Sequence, residues 1–434
     1  MKARHHPQAM DRVLIPLSLA VLLALTACRT PEKKPATVIT QPPPVTVAPT
    51  PKPAPTPQVT PAPAKKVFHS EKLAAMDAAI AQAISEMKLP GGVLWLERNG
   101  ITYSKASGHR AIAPQAEPMS ADTIFDAASL TKSIATAPAI ALLLERGRLK
   151  LDAPVRDFIP EFSGDGRESV TVRHLLTHTS GLRPGLSLAQ PWQGAAKAVQ
   201  LACGEKLQSA VGTKFVYSDI NFILLGELVR RVTGESLDAF AAREIFGPLK
   251  MNDTGFRPGT SARSRIAPTT ATNNVYLRGE VHDPTARRMG GVAGHAGLFT
   301  TANDLARFSR MLLNGGELDG ARVLRPETVR LMTSVQSPAA VSARRGLGWD
   351  IDSPYSGPRG KLFPIGSFGH TGWTGTSVWI DPFSRTFVIF LANRNHPADG
   401  GSVVALRSQL GTLAAEAVVD FDFTKVPGAL PRKE

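Results

Sequence analysis

Strand-like runs stand at the two ends of this chain with a long helical stretch between them, and that arrangement limits the folds open to it. Residues 91–110, "GGVLWLERNGITYSKASGHR", hold two β-rich runs around Asn99-Gly100, which predicts a hairpin because both turn positions tolerate positive φ. Strand character returns only at "GLGWDI" (Gly346 to Ile351), "TGTSVWIDP" (Thr374 to Pro382) and "TFVIFLANR" (Thr386 to Arg394). Apolar spacing predicts a helix over residues 71–87 ahead of the hairpin and a closing helix over Ser402 to Val418. Between Lys132 and the later strands the pattern is mainly helical. Runs so placed meet most simply in one antiparallel sheet built from both termini and flanked by helices, with the helical region inserted. The expected class is α/β in the broad sense, α+β more strictly, and there is no internal repeat.

The folded domain is expected over residues 68–425. Ahead of it, residues 28–67 read as a tether: "TPEKKPATVITQPPPVTVAPTPKPAPTPQVTPAPAKK" is rich in Pro, Thr, Ala and Lys and has no core-forming pattern. Residues 1–27, with a basic start and an apolar run from Val13 to Ala27, read as a secretory signal. Its end, "LTAC", resembles the lipobox of bacterial lipoproteins, where the Cys sulfur is acylated and becomes the new N-terminus. That resemblance implies a lipid anchor at Cys28 and a cell-envelope domain facing the periplasm. Arg29, where inner-membrane lipoproteins carry Asp, points to the outer membrane. Several acyl chains would hold the protein stably on a bilayer. Cys28 and Cys203 are the only cysteines, so lipidation leaves no disulfide, and Cys203 reads as a small buried apolar residue.

A formal charge of +14 would suit a nucleic-acid partner, but half of it lies before Phe68. The rest of the chain has no basic-aromatic stripe, so no nucleic acid is expected. The 43% hydrophobic content supplies a sizeable core.

Three stretches could carry chemistry. In "FDAASLTKSIATAPAIALLLERG" (Phe125 to Gly147), Ser129 and Lys132 are spaced i,i+3, which sets a hydroxyl beside an ammonium on one helix face. "KFVYSDINFILLGELV" (Lys214 to Val229) puts Tyr217, Ser218 and Asp219 just ahead of an apolar helix. In "FGHTGWTGTSVWID" (Phe368 to Asp381), His370-Thr371-Gly372 opens a β-run. In this order they resemble the serine β-lactamase and penicillin-binding superfamily, in its class C β-lactamase-like branch, which uses Ser-x-x-Lys, Tyr-x-Asn and Lys-Thr-Gly. The resemblance also takes in "TVRHLLTHTSGL", "NFILLGELVRRVTGESLDAFAAREIFGPLKMNDTGF" and "GGVAGHAGLFTTANDLARF", and covers about residues 71–420. "RMGGVAGHAGLF" and "HTG" are most similar to lipoprotein-type D-Ala-D-Ala carboxypeptidases and their esterase-like relatives.

The resemblance implies a β-lactamase/transpeptidase-like fold and acyl transfer without a cofactor: Ser129 attacks an ester or amide carbonyl, an acyl-enzyme forms, and water releases it. A Ser hydroxyl needs a neighbour to take its proton. Lys132 can stabilise the alkoxide or, if desolvation keeps it neutral, accept the proton itself. Tyr217 is the expected partner base, its phenolate favoured by a nearby Lys. Ser129 at the helix start exposes its N–H as one oxyanion donor. Family analogy assigns the second donor to Trp373 and puts Asp219, His370, Thr371 and Gly372 in the substrate-binding wall. No Ser-Asp-Asn triplet or class A-type Glu base is evident. Pro138 is expected to kink or shorten the helix.

Two departures from the family shape the substrate expectation. Position 370 is His where the branch often has Lys, and position 219 is Asp where Asn is common. A His of ordinary pKa is mostly neutral at pH 7, so a positive charge that helps hold substrate carboxylates is missing. Asp219, if near Lys132, would favour the charged lysine and leave proton transfer mainly to Tyr217. Weak β-lactam hydrolysis, a preference for esters or less anionic acyl donors, and better use of anionic substrates below pH ~6.5 are therefore expected.

No metal is expected. His174 and His178 are spaced i,i+4 but lack the intervening Glu of a metalloprotease, and read as packing and loop support. The glycines from Gly290 to Gly297 lack a following Lys-Ser or Lys-Thr and suit a loop close to the pocket, with Thr301 capping the next helix and His295 as support. The functional readings are a D,D-carboxypeptidase or other activity on peptidoglycan-derived peptides, which would also bind penicillins, and an esterase of the same fold. A third, a non-catalytic cell-wall-binding lipoprotein, sits poorly with a complete Ser129, Lys132 and Tyr217.

Overall fold

Two-residue alternation at both ends of the chain builds the sheet. The computed structural model describes residues 66–431; the secretory signal, Cys28 and the tether up to residue 65 lie outside the described residues. Strands β1 (Gly91–Arg98), β2 (Ile101–Ala111), β3 (Glu117–Pro118), β4 (Arg344–Arg345), β5 (Asp350–Asp352), β6 (Phe368–Thr371), β7 (Ser377–Asp381) and β8 (Thr386–Ala392) form one eight-stranded sheet. Their order is β4-β5-β6-β7-β8-β1-β2-β3, antiparallel throughout. The β1–β2 hairpin turns at Asn99 (φ 51°) and Gly100 (φ 80°), as its sequence predicts.

Both faces of the sheet are covered. On one, Leu94, Leu96, Val388 and Phe390 pack against helix α1 (Ser70–Ser85) and the closing helix, Val404–Ala417, through Met76, Ile80, Leu410 and Ala414. On the other, Val93, Phe387, Ile389 and Leu391 join the core of the inserted helical region. Each fully buried side chain of this kind contributes ~1.5–3 kcal/mol. The sheet built from both ends, with its helical insertion, is as the sequence implies.

Four local expectations need correction. The strand expected from Gly346 begins only at Asp350, because Gly346 packs where a Cβ would lie 2.2 Å from the Met332 carbonyl oxygen and Gly348 turns at φ 75°. The run expected from Thr374 shortens to Ser377–Asp381, since Trp373 to Gly375 make the turn between β6 and β7. His370-Thr371-Gly372 therefore closes β6 and does not open a strand. Pro138 does not end its helix: a π-helical turn, Lys132–Thr136, runs directly into α2 (Ala137–Glu145), with Pro138 in its first turn. A proline has no N–H for the carbonyl one turn back, and a widened turn absorbs that gap.

Helix α3 (Asp219–Thr233) has Asp219 in its first turn and Arg230 and Arg231 in its last, which suits its dipole, and Gly234 at φ 81° ends it. Thr301 caps α4 (Ala302–Leu313) by accepting the Asp304 N–H at 3.2 Å. With these helices introduced, the closing helix Val404–Ala417 is α5. Among the described residues no helix is long and apolar enough to cross a membrane.

Candidate active site

Ser129 is presented by a backbone that few residues adopt. Ala128 is left-handed (φ 47°), and its N–H donates to Asp126 Oδ1 at 2.9 Å. Asp126 Oδ2 accepts the His282 N–H at 2.7 Å, so this buried carboxylate ties two segments together; burial pushes its pKa up to about 6. Strain of ~1–3 kcal/mol at such a residue persists only where neighbours enforce it. The β6–β7 turn is one of those neighbours. Thr374 Oγ1 donates to the Asp126 carbonyl (2.8 Å) and Thr376 Oγ1 to the Ala127 carbonyl (3.0 Å). Gly372 packs so tightly there that a Cβ would lie 2.5 Å from the same Ala127 oxygen. The turn thus brings Trp373 to the residues that precede Ser129. Among the described residues neither the Ser129 nor the Trp373 backbone N–H has an acceptor, which leaves both available to an oxyanion.

Lys132 lies beside Ser129 and is fully buried. Its Nζ contacts three acceptors: Ser129 Oγ at 3.0 Å, the His295 carbonyl at 3.0 Å and Asp219 Oδ1 at 2.7 Å. The Tyr217 ring centroid is 4.9 Å from Nζ, and both Lys132 and Ser129 lie close enough to its hydroxyl to favour the phenolate. Burial alone would strip the proton from Lys132, but the Asp219 carboxylate and Tyr217 outweigh it and hold the ammonium above the ordinary lysine range. For Tyr217 burial outweighs the Lys132 charge, with Asp219 adding to it, so the phenol is held above its usual pKa. The charged Lys132 is the form expected with Asp219 beside it, whereas the phenolate expected of Tyr217 is disfavoured. The expected ion pair of Asp219 with Lys132 is present.

Tyr217 is itself positioned from behind. The His178 ring stacks on it at 4.4 Å and 30°, and His178 Nδ1 accepts the Ser218 N–H at 3.1 Å. His178 is a support residue, as expected, and burial keeps it neutral. His174 caps a short helix, Val172–Leu176, with Thr171. His295 is also support: its carbonyl holds Lys132 and its Nε2 meets Asp283 Oδ1 at 2.9 Å. Cys203 is a buried free thiol pushed up to about 11 by burial, and so inert.

The opposite wall is made by β5 and β6. Ser129, Tyr217, Tyr355, His370, Trp373 and Arg394 line a cavity of about 620 Å³. His370 is 2% exposed; its Nδ1 lies 2.9 Å from the Thr371 carbonyl, which assigns the proton to Nδ1 and leaves Nε2 as an unpartnered acceptor. Burial, with Arg345 and Lys132 nearby, depresses its pKa well below 6.5. The expected gain of charge below pH ~6.5 is thus overturned, because the ordinary pKa assumed for it belongs to an exposed imidazole. Behind it lies an ion pair invisible to local sequence patterns: Arg345 with Asp350, both fully buried. Sequence reasoning also missed Asp126, Thr374, Thr376 and Asp283. Only the Thr-x-Thr spacing on the turn gave any hint of them.

Donor atoms of Asp219, Asp283 and His295 lie within 4.8 Å of one another, a spacing that would suit a cation. The Lys132 ammonium already sits on Asp219 Oδ1 and supplies that positive charge.

Residues 76–411 match the family model described as Beta-lactamase. A relative in Escherichia coli (strain K12), provisionally named a D-alanyl-D-alanine carboxypeptidase, is 30% identical over 371 residues, covering 77% of this chain and 85% of its own. The N-acetylmuramyl-L-alanine amidase of Bacillus subtilis (strain 168) is 32% identical over 372 residues, 76% of this chain and 82% of its own. Among solved structures, EstCE1, a hydrolase with promiscuous acyltransferase activity, superposes with a TM-score of 0.65 at 23% identity, over 80% of this chain and 99% of that one.

Proposed function

This chain belongs to the serine β-lactamase and penicillin-binding superfamily, and from that premise we propose that it is a serine acyl hydrolase that cleaves amide or ester bonds in peptidoglycan-derived fragments. The observation that carries this is the 3.0 Å contact of Lys132 Nζ with Ser129 Oγ, beside two unoccupied backbone N–H groups. Ser129 Oγ passes its proton to the Lys132, Tyr217 and Asp219 cluster as it attacks the carbonyl carbon, and the carbonyl electron pair moves onto the oxygen between the Ser129 and Trp373 N–H groups. As the C–N or C–O bond breaks, Tyr217 delivers a proton to the leaving group and is re-protonated from Lys132. Water then repeats the sequence on the acyl-enzyme and restores the Ser129 hydroxyl.

Neutral His370 supports substrates without a carboxylate next to the reacting bond, hence an internal amide, as in the name of the Bacillus subtilis relative, or an ester. A second reading, a D,D-carboxypeptidase, is favoured by the Escherichia coli relative's name and by Arg394 and Arg407 in the cavity lining. The test compares an N-acetylmuramyl-L-Ala peptide, a peptide ending in D-Ala-D-Ala and a nitrophenyl ester. Fastest turnover of the D-Ala-D-Ala peptide, with release of free D-Ala, would favour the second reading over the first. A non-catalytic binding protein would turn over none of the three.

We also propose a lipid anchor at Cys28 in the outer membrane, motivated by "LTAC" after the apolar run. Cys28→Ser should leave the membrane fraction or remain unprocessed. Unchanged partitioning of that variant would end this proposal.

A further inference from the structure

The proton of Ser129 has no obvious destination. Lys132 rests as an ammonium that donates to Ser129 Oγ and the His295 carbonyl and lies 2.7 Å from Asp219 Oδ1, an oxygen with no hydrogen-bond partner among the described residues, and Tyr217 rests as a phenol. The nearest anionic group is the carboxylate of Asp219, 2.7 Å from Nζ. We propose that Asp219 is the proton acceptor of the reaction, taking the Ser129 proton through Lys132. This rests on the serine-hydrolase reading above and adds to it the group that stands where the branch commonly has an amide.

The same three contacts serve both ends of the transfer. When the Nζ hydrogen not given to Ser129 or His295 turns onto Asp219 Oδ1 and moves to it, Nζ keeps two hydrogens and turns a lone pair toward Ser129 Oγ–H. As Oγ forms its bond to the carbonyl carbon, its proton passes to that lone pair, and Lys132 is an ammonium again. When the leaving group departs, it receives a proton from Lys132 by way of Tyr217, and Lys132 recovers one from Asp219. Water donates its proton along the same line in deacylation, and Ser129 Oγ takes a proton back as the acyl bond breaks. Nothing is gained or lost over the cycle. An Asn at 219 could not accept a proton, so Lys132 or Tyr217 would first have to lose one to solvent.

Titratable groups face Asp219 from several elements packed around it. Lys132 faces Asp219 from the π turn and Tyr217 from the residues before α3. Asp283 and His295 face it from two loops, and Tyr355 from the connection after β5. Asp283 is held below the usual carboxylate range, against the cost of burial, by His295, the Ala286 N–H and Lys132.

The test uses the intact protein and hydrolysis of a nitrophenyl ester. The parent should show a level kcat/KM from about pH 6.5 to pH 9. Asp219→Asn should lose ~10²-fold or more at the acid end of that range and climb by about tenfold per pH unit as its remaining base deprotonates. Asp219→Ala should be rescued by added formate, since the Asp219 side chain is 32% exposed and a small carboxylate can enter. Asp219→Glu should keep the level profile. A profile for Asp219→Asn that parallels the parent, or no formate rescue in a folded Asp219→Ala, would reduce Asp219 to a positioning residue and leave the serine hydrolase standing. Unimpaired turnover by Ser129→Ala would instead remove the serine reading itself.

Discussion

The two walls of the cavity differ in how completely their polar atoms are satisfied. On the wall of Ser129, Lys132, Tyr217 and Asp219, Lys132 ties Ser129 to the His295 carbonyl and pairs by charge with Asp219, whose Oδ1 is the one buried polar atom of these four side chains without a hydrogen-bond partner among the described residues. On the β5–β6 wall, His370 Nε2, Asp350 Oδ2, and Nε and Nη2 of Arg345 have no hydrogen-bond partner among the described residues. Buried polar groups are rarely left so, and unpaired ones cost ~1–3 kcal/mol each. The more fully satisfied wall is preorganised for moving a proton. The unsatisfied wall has hydrogen bonds still to make, which suits the side that meets water or substrate.

The first ways to break this comparison act on the satisfied wall. Ser129→Ala should cut turnover by ~10⁴-fold or more, because the covalent route is lost. Tyr217→Phe removes one hydroxyl from the relay and should cost ~10²-fold or more at an unchanged Tm; a loss confined to KM would make Tyr217 a binding residue. On the other wall the effects are smaller. His370→Lys should raise kcat/KM for a cephalosporin relative to a neutral ester by roughly tenfold, since it restores a cation near the substrate. In the parent that ratio should stay constant from about pH 8 to pH 5.5, because His370 remains neutral; a rise on acidification would show it protonating.

The smallest effect is on stability. The folded-state pKa values of His178 and His370 are depressed, so both contribute stability that is present above the unfolded pKa of about 6.5. That stability is lost as pH falls below 6.5, where the unfolded chain takes up protons that the folded chain refuses. Tm should therefore drop on acidification, and His370→Gln should flatten part of the drop.

What the sequence shows and what it hides follow from distance along the chain. Ser129 and Lys132 are legible because i,i+3 spacing on a helix is a local geometric fact, and the β1–β2 hairpin because Asn99-Gly100 specifies its own turn. The cap at Thr301 is legible for the same reason. The pairing of Lys132 with Asp219 joins residues 132 and 219, and that of Arg345 with Asp350 crosses a strand pair whose register depends on the rest of the sheet. No local pattern carries either. Protonation states were harder still: Tyr217 and His370 depart from simple expectation because desolvation depends on burial, which only the assembled fold determines. The motif Tyr-Ser-Asp showed that a carboxylate stands at 219; only the 2.7 Å contact shows which charge it serves.

The central claim, that Ser129 forms the acyl-enzyme, is tested most directly by mapping a covalent adduct. The protein is treated with a fluorophosphonate, digested and analysed by peptide mass spectrometry. The account predicts a single adduct on the peptide carrying Ser129, absent from Ser129→Ala and slowed in Lys132→Ala. An adduct on another residue, or a folded and ester-hydrolysing protein that forms none at Ser129, would contradict it.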